Sequence, residues 1–159
     1  MEIIDLRKSN YLDIDGVTIL KNILNQIPNE YIIGVQKISL LDTDYEKIKA
    51  IGKWRRNYNS KYIQIEIMFD TFDKFSRNIL EDEITIYLEL GRILLHELYH
   101  NYQKTRNKRI LKQKVEEFNA NEWALKKMID ILNRLFPSTS LLNWKRKYEN
   151  IYLQELGWV

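Results

Sequence analysis

Hydrophobic positions along this chain change period several times, and the changes divide it into helices and strands. Val17, Leu20, Ile23, Leu24 and Ile27 recur every three or four residues, which predicts a helix over 16–27. Asp15 stands at its N-cap position and Pro28 at its end. Residues 31–41 (YIIGVQKISLL) are partly alternating and rich in β-branched side chains, as a strand is. Asp42-Thr43-Asp44 predicts a turn, and residues 45–50 a short helical turn. Gly52 opens a second extended run to Tyr58, Asn59-Ser60 fits a hairpin turn, and residues 61–69 form a third. In that third run Ile63, Ile65, Ile67 and Phe69 share one face, with Gln64 and Glu66 on the other. Residues 1–15 are mixed and read as an arm. Residues 70–78 read as a polar connection.

The period then becomes helical. Ile86, Leu90, Ile93 and Leu94 predict a core-facing helix beginning near Asp82 or Glu83, acids that suit the positive end of a helix dipole. A second long helix is predicted over about 112–135 and ends before Pro137. Ser138 or Ser140 can cap a last helix over 141–156, packed through Leu142, Tyr148, Ile151, Tyr152 and Leu156. The apolar end Gly157-Trp158-Val159 can dock on the core or lie in a cleft. Three extended runs before long helices predict an α+β fold, a small antiparallel sheet packed on helices, in a single domain over 1–159.

Composition narrows the chemistry. Of 159 residues, 45% are apolar and 30% charged, as in an ordinary soluble globule. There is no cysteine, so disulfides and thiolate metal sites are excluded, and any metal must use His, Asp or Glu. Residues 1–8 lack the apolar core of a secretion signal, and Glu89 and Arg92 interrupt the most apolar run. The expectation is a soluble, cytoplasmic protein. A net charge of +3 decides nothing. Two basic runs stand out: Lys104, Arg106, Lys108, Arg109, Lys112 and Lys114, and Lys53, Arg55, Arg56 and Lys61 interleaved with Trp54, Tyr58 and Tyr62. The plain reading is solvated loop and strand faces. The sharper one is a contact for nucleic acid, with aromatics stacking bases.

The only two histidines fall within His96-Glu97-Leu98-Tyr99-His100, an H-E-x-x-H pattern inside the first long helix. Residues four apart on a helix share a face, so both imidazoles can converge on one ion. Zn²⁺ accepts neutral imidazole nitrogen and, in catalytic sites, three protein ligands plus a water. Glu97 lies beside that water as general base. A buried structural helix is the bland alternative. It fits poorly, because three ionisable groups on an apolar helix are costly to bury without a purpose.

A third histidine at the familiar spacing is missing: Gln103 and Arg106 stand where H-E-x-x-H-x-x-G-x-x-H needs Gly and His. The third ligand should therefore be a carboxylate. At about 100° per residue, Glu117 aligns with Ala124, Met128, Ile131 and Leu135, with Ala120 beside it. That is an inward stripe whose alanines permit close helix approach. Glu122 is the runner-up. Glu116 falls on a mainly polar face and suits an ordinary first-turn acid.

His96-Glu97-x-x-His100 followed by Glu117-x-x-Ala120-Asn121-x-x-Ala124 resembles the gluzincin metallopeptidases, most of all the ImmA/IrrE-like peptidases and the minigluzincins, over about residues 84–135. The resemblance implies a zincin-like fold with a small sheet, an active-site helix and a glutamate helix. It implies a Zn²⁺ endopeptidase acting on protein or peptide substrates, with ligands His96, His100 and Glu117 and catalytic Glu97. It also implies that Asn121 hydrogen-bonds a ligand imidazole. Members often add a Tyr or His that stabilises the oxyanion; Tyr102, Tyr148 and Tyr152 are candidates by position. The exposed edge of the sheet could hold an extended substrate or be scaffold alone. Two other functions compete: a regulatory or nucleic-acid-binding protein on the same scaffold with little proteolysis, and a structural domain whose motif is incidental.

Overall fold

The computed structural model describes residues 1–8, 14–42, 52–57, 62–68, 79–106 and 112–137. In chain order these form β1 (Glu2–Asp5), α1 (Gly16–Leu24), α2 (Asn29–Ile32), β2 (Val35–Leu41), β3 (Gly52–Asn57), β4 (Tyr62–Met68), α3 (Ile79–Thr105) and α4 (Gln113–Leu135). The turns expected at 43–50 and 59–60, the 70–78 connection, the last helix over 141–156 and the 157–159 end lie outside the described residues.

The fold is α+β, but the sheet is mixed rather than antiparallel. Strand order is β1-β2-β4-β3. β1 runs parallel to β2, and β2 parallel to β4; only β3 and β4 are antiparallel. The hairpin pair was legible because it is local. Alternation carries no information about direction, so the parallel pairing of β2 with β4 was not. Residues 2–5, read as part of an arm, are a strand instead, and the main chain stays paired through the Leu6 N–H to the Leu40 carbonyl at 2.9 Å. β2 is central: Ile38, Ser39 and Leu40 are all buried, so both of its faces are covered.

Boundaries moved for identifiable reasons. Asp15 does cap α1, accepting from the Thr18 N–H at 3.0 Å. α1 stops at Leu24, and Pro28 sits at the N-cap of α2, where its fixed φ suits a helix start. The strand expected from residue 31 therefore begins at Val35, after the turn of α2 and Gly34. Ile19 takes a core place on α1 that the expected stripe gave to Val17, which is half-buried.

α3 is the central element. It starts at Ile79, earlier than expected, and packs against α1, α2, β3, β4 and α4. Ile84, Leu88, Leu90, Leu94, Leu95 and Leu98 are almost fully buried. Each such side chain contributes about 1.5–3 kcal/mol relative to exposure, which offsets the cost of carrying polar groups in the same helix. Gly91 lets α4 close on α3: the Met128 thioether occupies the space where a β-carbon would stand. Ala120 and Ala124, both fully buried, continue that close seam. Among the described residues no helix is long and apolar enough to cross a membrane.

Candidate metal centre

The α3–α4 seam brings three donor side chains together. His96 Nε2 lies 3.0 Å from His100 Nε2 and 3.1 Å from Glu117 Oε2, and His100 Nε2 lies 3.3 Å from Glu117 Oε1. The two rings are nearly perpendicular. Four residues of helix place both imidazoles on one face, and the alanine seam below brings Glu117 over them. Ligands at about 2.0–2.1 Å from a tetrahedral ion stand roughly 3.3 Å apart, so the observed spacing suits one small cation.

Proton counting supports the same fit. His96 Nδ1 lies 2.8 Å from Asn121 Oδ1. An amide oxygen only accepts, so Nδ1 carries the proton and Nε2 presents a lone pair. That lone pair faces the Glu117 carboxylate with no proton between them. A cation placed between these atoms would satisfy all three donors at once. Burial pushes the His96 pKa down, helped by His100 and Arg92 and opposed by Glu117 and Asn121, which favours the neutral imidazole that a metal requires. His96, His100 and Glu117 are the one group of three potential ligands among the described residues.

Glu97 lies one residue from this cluster and is 6% exposed. Burial, then the Glu117 charge, pushes its pKa up to about 7; Lys104 and a hydrogen bond from the Trp54 main-chain N–H pull it back. β3 supplies that N–H because Gly52 lets the strand approach. A β-carbon at Gly52 would stand 2.6 Å from Glu97 Oε1 and 2.8 Å from Ile93 Cγ2. Gly52→Ala must therefore push strand and carboxylate apart. Overpacking of this kind costs about 1–3 kcal/mol, so Gly52→Ala is expected to lower the urea unfolding midpoint; an unchanged midpoint would show that the close approach is not needed.

A cleft of about 870 Å³ opens over the donors. The α3 side chains from Arg92 to Lys104 form its floor, Gly52 to Arg55 of β3 one wall, and Gln113, Glu116, Glu117 and Asn121 of α4 the other. β3 is the last strand of the sheet as described, so one side of its backbone is unpaired by any described strand.

Of the three rival glutamates, Glu117 joins the cluster. Glu116 lines the cleft, and Glu122 pairs with Lys126 at 2.8 Å. Tyr102 is not brought to the cluster: its ring stacks on Tyr31 at 4.4 Å, and no tyrosine lines the cleft among the described residues. Tyr148 and Tyr152 lie outside the described residues. In the basic runs, Lys104 Nζ sits 4.2 Å over the Trp54 ring, Arg106 pairs with Glu30 at 2.9 Å, and Arg55 with Glu66 at 3.0 Å.

Asn101 was missed. It is fully buried, accepts from Trp54 Nε1 at 3.0 Å, and donates to the Tyr31 and Ile33 carbonyls at 2.8 and 3.1 Å. The signal was present: Asn101 falls on the inward stripe with Leu94 and Leu98, where a polar residue needs partners. No protein-family model, no curated protein and no solved structure matches the chain.

Proposed function

We propose that the protein is a zinc-dependent endopeptidase of the gluzincin type. The observation that carries this is the convergence of His96, His100 and Glu117 beside a buried carboxylate, Glu97, in an open cleft. When bound, Zn²⁺ supplies Lewis-acid chemistry, polarising the scissile carbonyl and acidifying water. His96, His100 and Glu117 hold it, and Asn121 fixes the tautomer and orientation of His96. Glu97 takes the proton of the attacking water and delivers it to the leaving amine; a pKa raised toward neutrality suits both transfers. The Trp54 N–H keeps the carboxylate aimed. An extended substrate adds to the open edge of β3 by main-chain hydrogen bonds.

The test is hydrolysis of an unfolded protein substrate by the zinc-loaded chain. Internal bonds are expected to be cut, with activity lost to a chelator and restored by zinc. A substrate left intact after prolonged incubation with the loaded protein would sink the proposal.

A further inference from the structure

The cleft carries more charge than the proposed reaction uses. Four basic residues line it: Lys53, Arg55, Arg92 and Lys104. Strand alternation separates them. Lys53 is opposite Glu66 and Arg55 opposite Gln64 in the ladder, and the Arg55 guanidinium meets Glu66 at 3.0 Å. Those two side chains stand on the sheet face turned away from buried Ile63, Ile65 and Ile67. β3 therefore gives the cleft main-chain atoms, and the cationic side chains aimed into it are Arg92 and Lys104.

These two are placed symmetrically. Arg92, His96, His100 and Lys104 follow at four-residue intervals, so one face of α3 presents cation, imidazole, imidazole, cation. At about 1.5 Å of rise per residue, each cation lies about 9 Å along the axis from the midpoint between the two histidines. That is roughly three residues of an extended chain. Arg92 meets Glu89 at 3.5 Å in an i,i+3 pair whose side chains are only 20% and 17% exposed, and it makes a further contact besides. Lys104 is exposed and rests on the Trp54 ring. Of the acids lining the cleft among the described residues, Glu97 and Glu117 belong to the reaction and only Glu116, on the opposite wall, does not.

We propose, on the footing of the peptidase reading, that the cleft selects peptides with an Asp or Glu about three residues to either side of the scissile bond, held by Arg92 and Lys104. The alternative, a cleft indifferent to charge, would leave these positions without effect on turnover.

The test uses zinc-loaded protein and quenched peptides of one sequence, with Asp, Asn or Lys about three residues before or after the bond cut. The expected kcat/KM order is Asp, Asn, Lys, with about fivefold between steps, the scale of an exposed ion pair. The spread should shrink as salt approaches about 0.5 M. Lys104→Glu is expected to reverse the order on one side of the bond and Arg92→Glu on the other, with zinc content unchanged. Equal cleavage of all three peptides overturns charge selection and leaves the peptidase reading intact. Cleavage of none, with a random peptide mixture also uncut, overturns the peptidase reading. Selection is then read from binding of the Asp and Asn peptides to zinc-loaded Glu97→Gln, where equal affinities overturn it.

Discussion

Glu97→Gln is expected to lower kcat by about 10²–10⁴-fold, the usual contribution of a positioned general base, while zinc content stays unchanged and the metal-free protein becomes more stable at alkaline pH. The two halves of this result have one cause. Glu97 is buried beside Glu117, and its pKa stands near 7 rather than at its ordinary 4.5. Between those values the folded chain binds a proton that the unfolded chain releases. Stability from this group is fully present below pH 4.5 and is lost as pH rises through about 7. At about 1.36 kcal/mol per pKa unit, the loss is on the order of 3 kcal/mol in the metal-free protein. Gln keeps an acceptor for the Trp54 N–H and carries no charge, so the loss disappears. Urea unfolding of both metal-free proteins at pH 5 and pH 8.5 reads it directly. A variant that retains turnover, or that is no more stable than wild type at pH 8.5, would contradict this account of Glu97.

Zinc content should separate the glutamates as sharply. Wild type is expected to bind about one equivalent of zinc, His100→Ala and Glu117→Ala to lose it, and Glu122→Ala to keep it. Glu117 and Glu122 are five residues apart on one helix, about 140° around its axis. One lies 3.1 and 3.3 Å from the two imidazoles; the other pairs with exposed Lys126. A surface pair of that kind is worth about 0–1 kcal/mol, so its removal leaves the fold intact and makes Glu122→Ala a fair control. Elemental analysis after dialysis provides the measurement. Zinc retained by Glu117→Ala and lost by Glu122→Ala would move the ligand to the other face.

The cluster was legible in sequence because it is built from local rules. Helical spacing put His96 and His100 on one face. The stripe through Ala120, Ala124, Met128 and Ile131, all buried, chose Glu117 without reference to any other part of the chain. What escaped was long-range. The parallel partners of β2 depend on chain segments about 30 residues away in each direction. Gly52 reads in sequence as the start of a strand, and only packing shows that it makes room for Glu97, 45 positions further along the chain. Asn101 could be recognised as inward, but its three partners come from α2, the turn after it and β3.

The division of labour along β3 has a consequence for how this sequence can change. The strand meets the cleft through its main chain, while the side chains of Lys53 and Arg55 stand on the other face of the sheet. Mutational drift at 53 and 55 is therefore silent at the reacting groups so long as the strand persists. At 52 any side chain larger than a hydrogen atom crowds Glu97 and Ile93. Position 54 is held by its indole bond to buried Asn101. Tolerance should thus alternate residue by residue along the same wall, and the donor cluster can be inherited unchanged while the outer face of the sheet acquires new surface character.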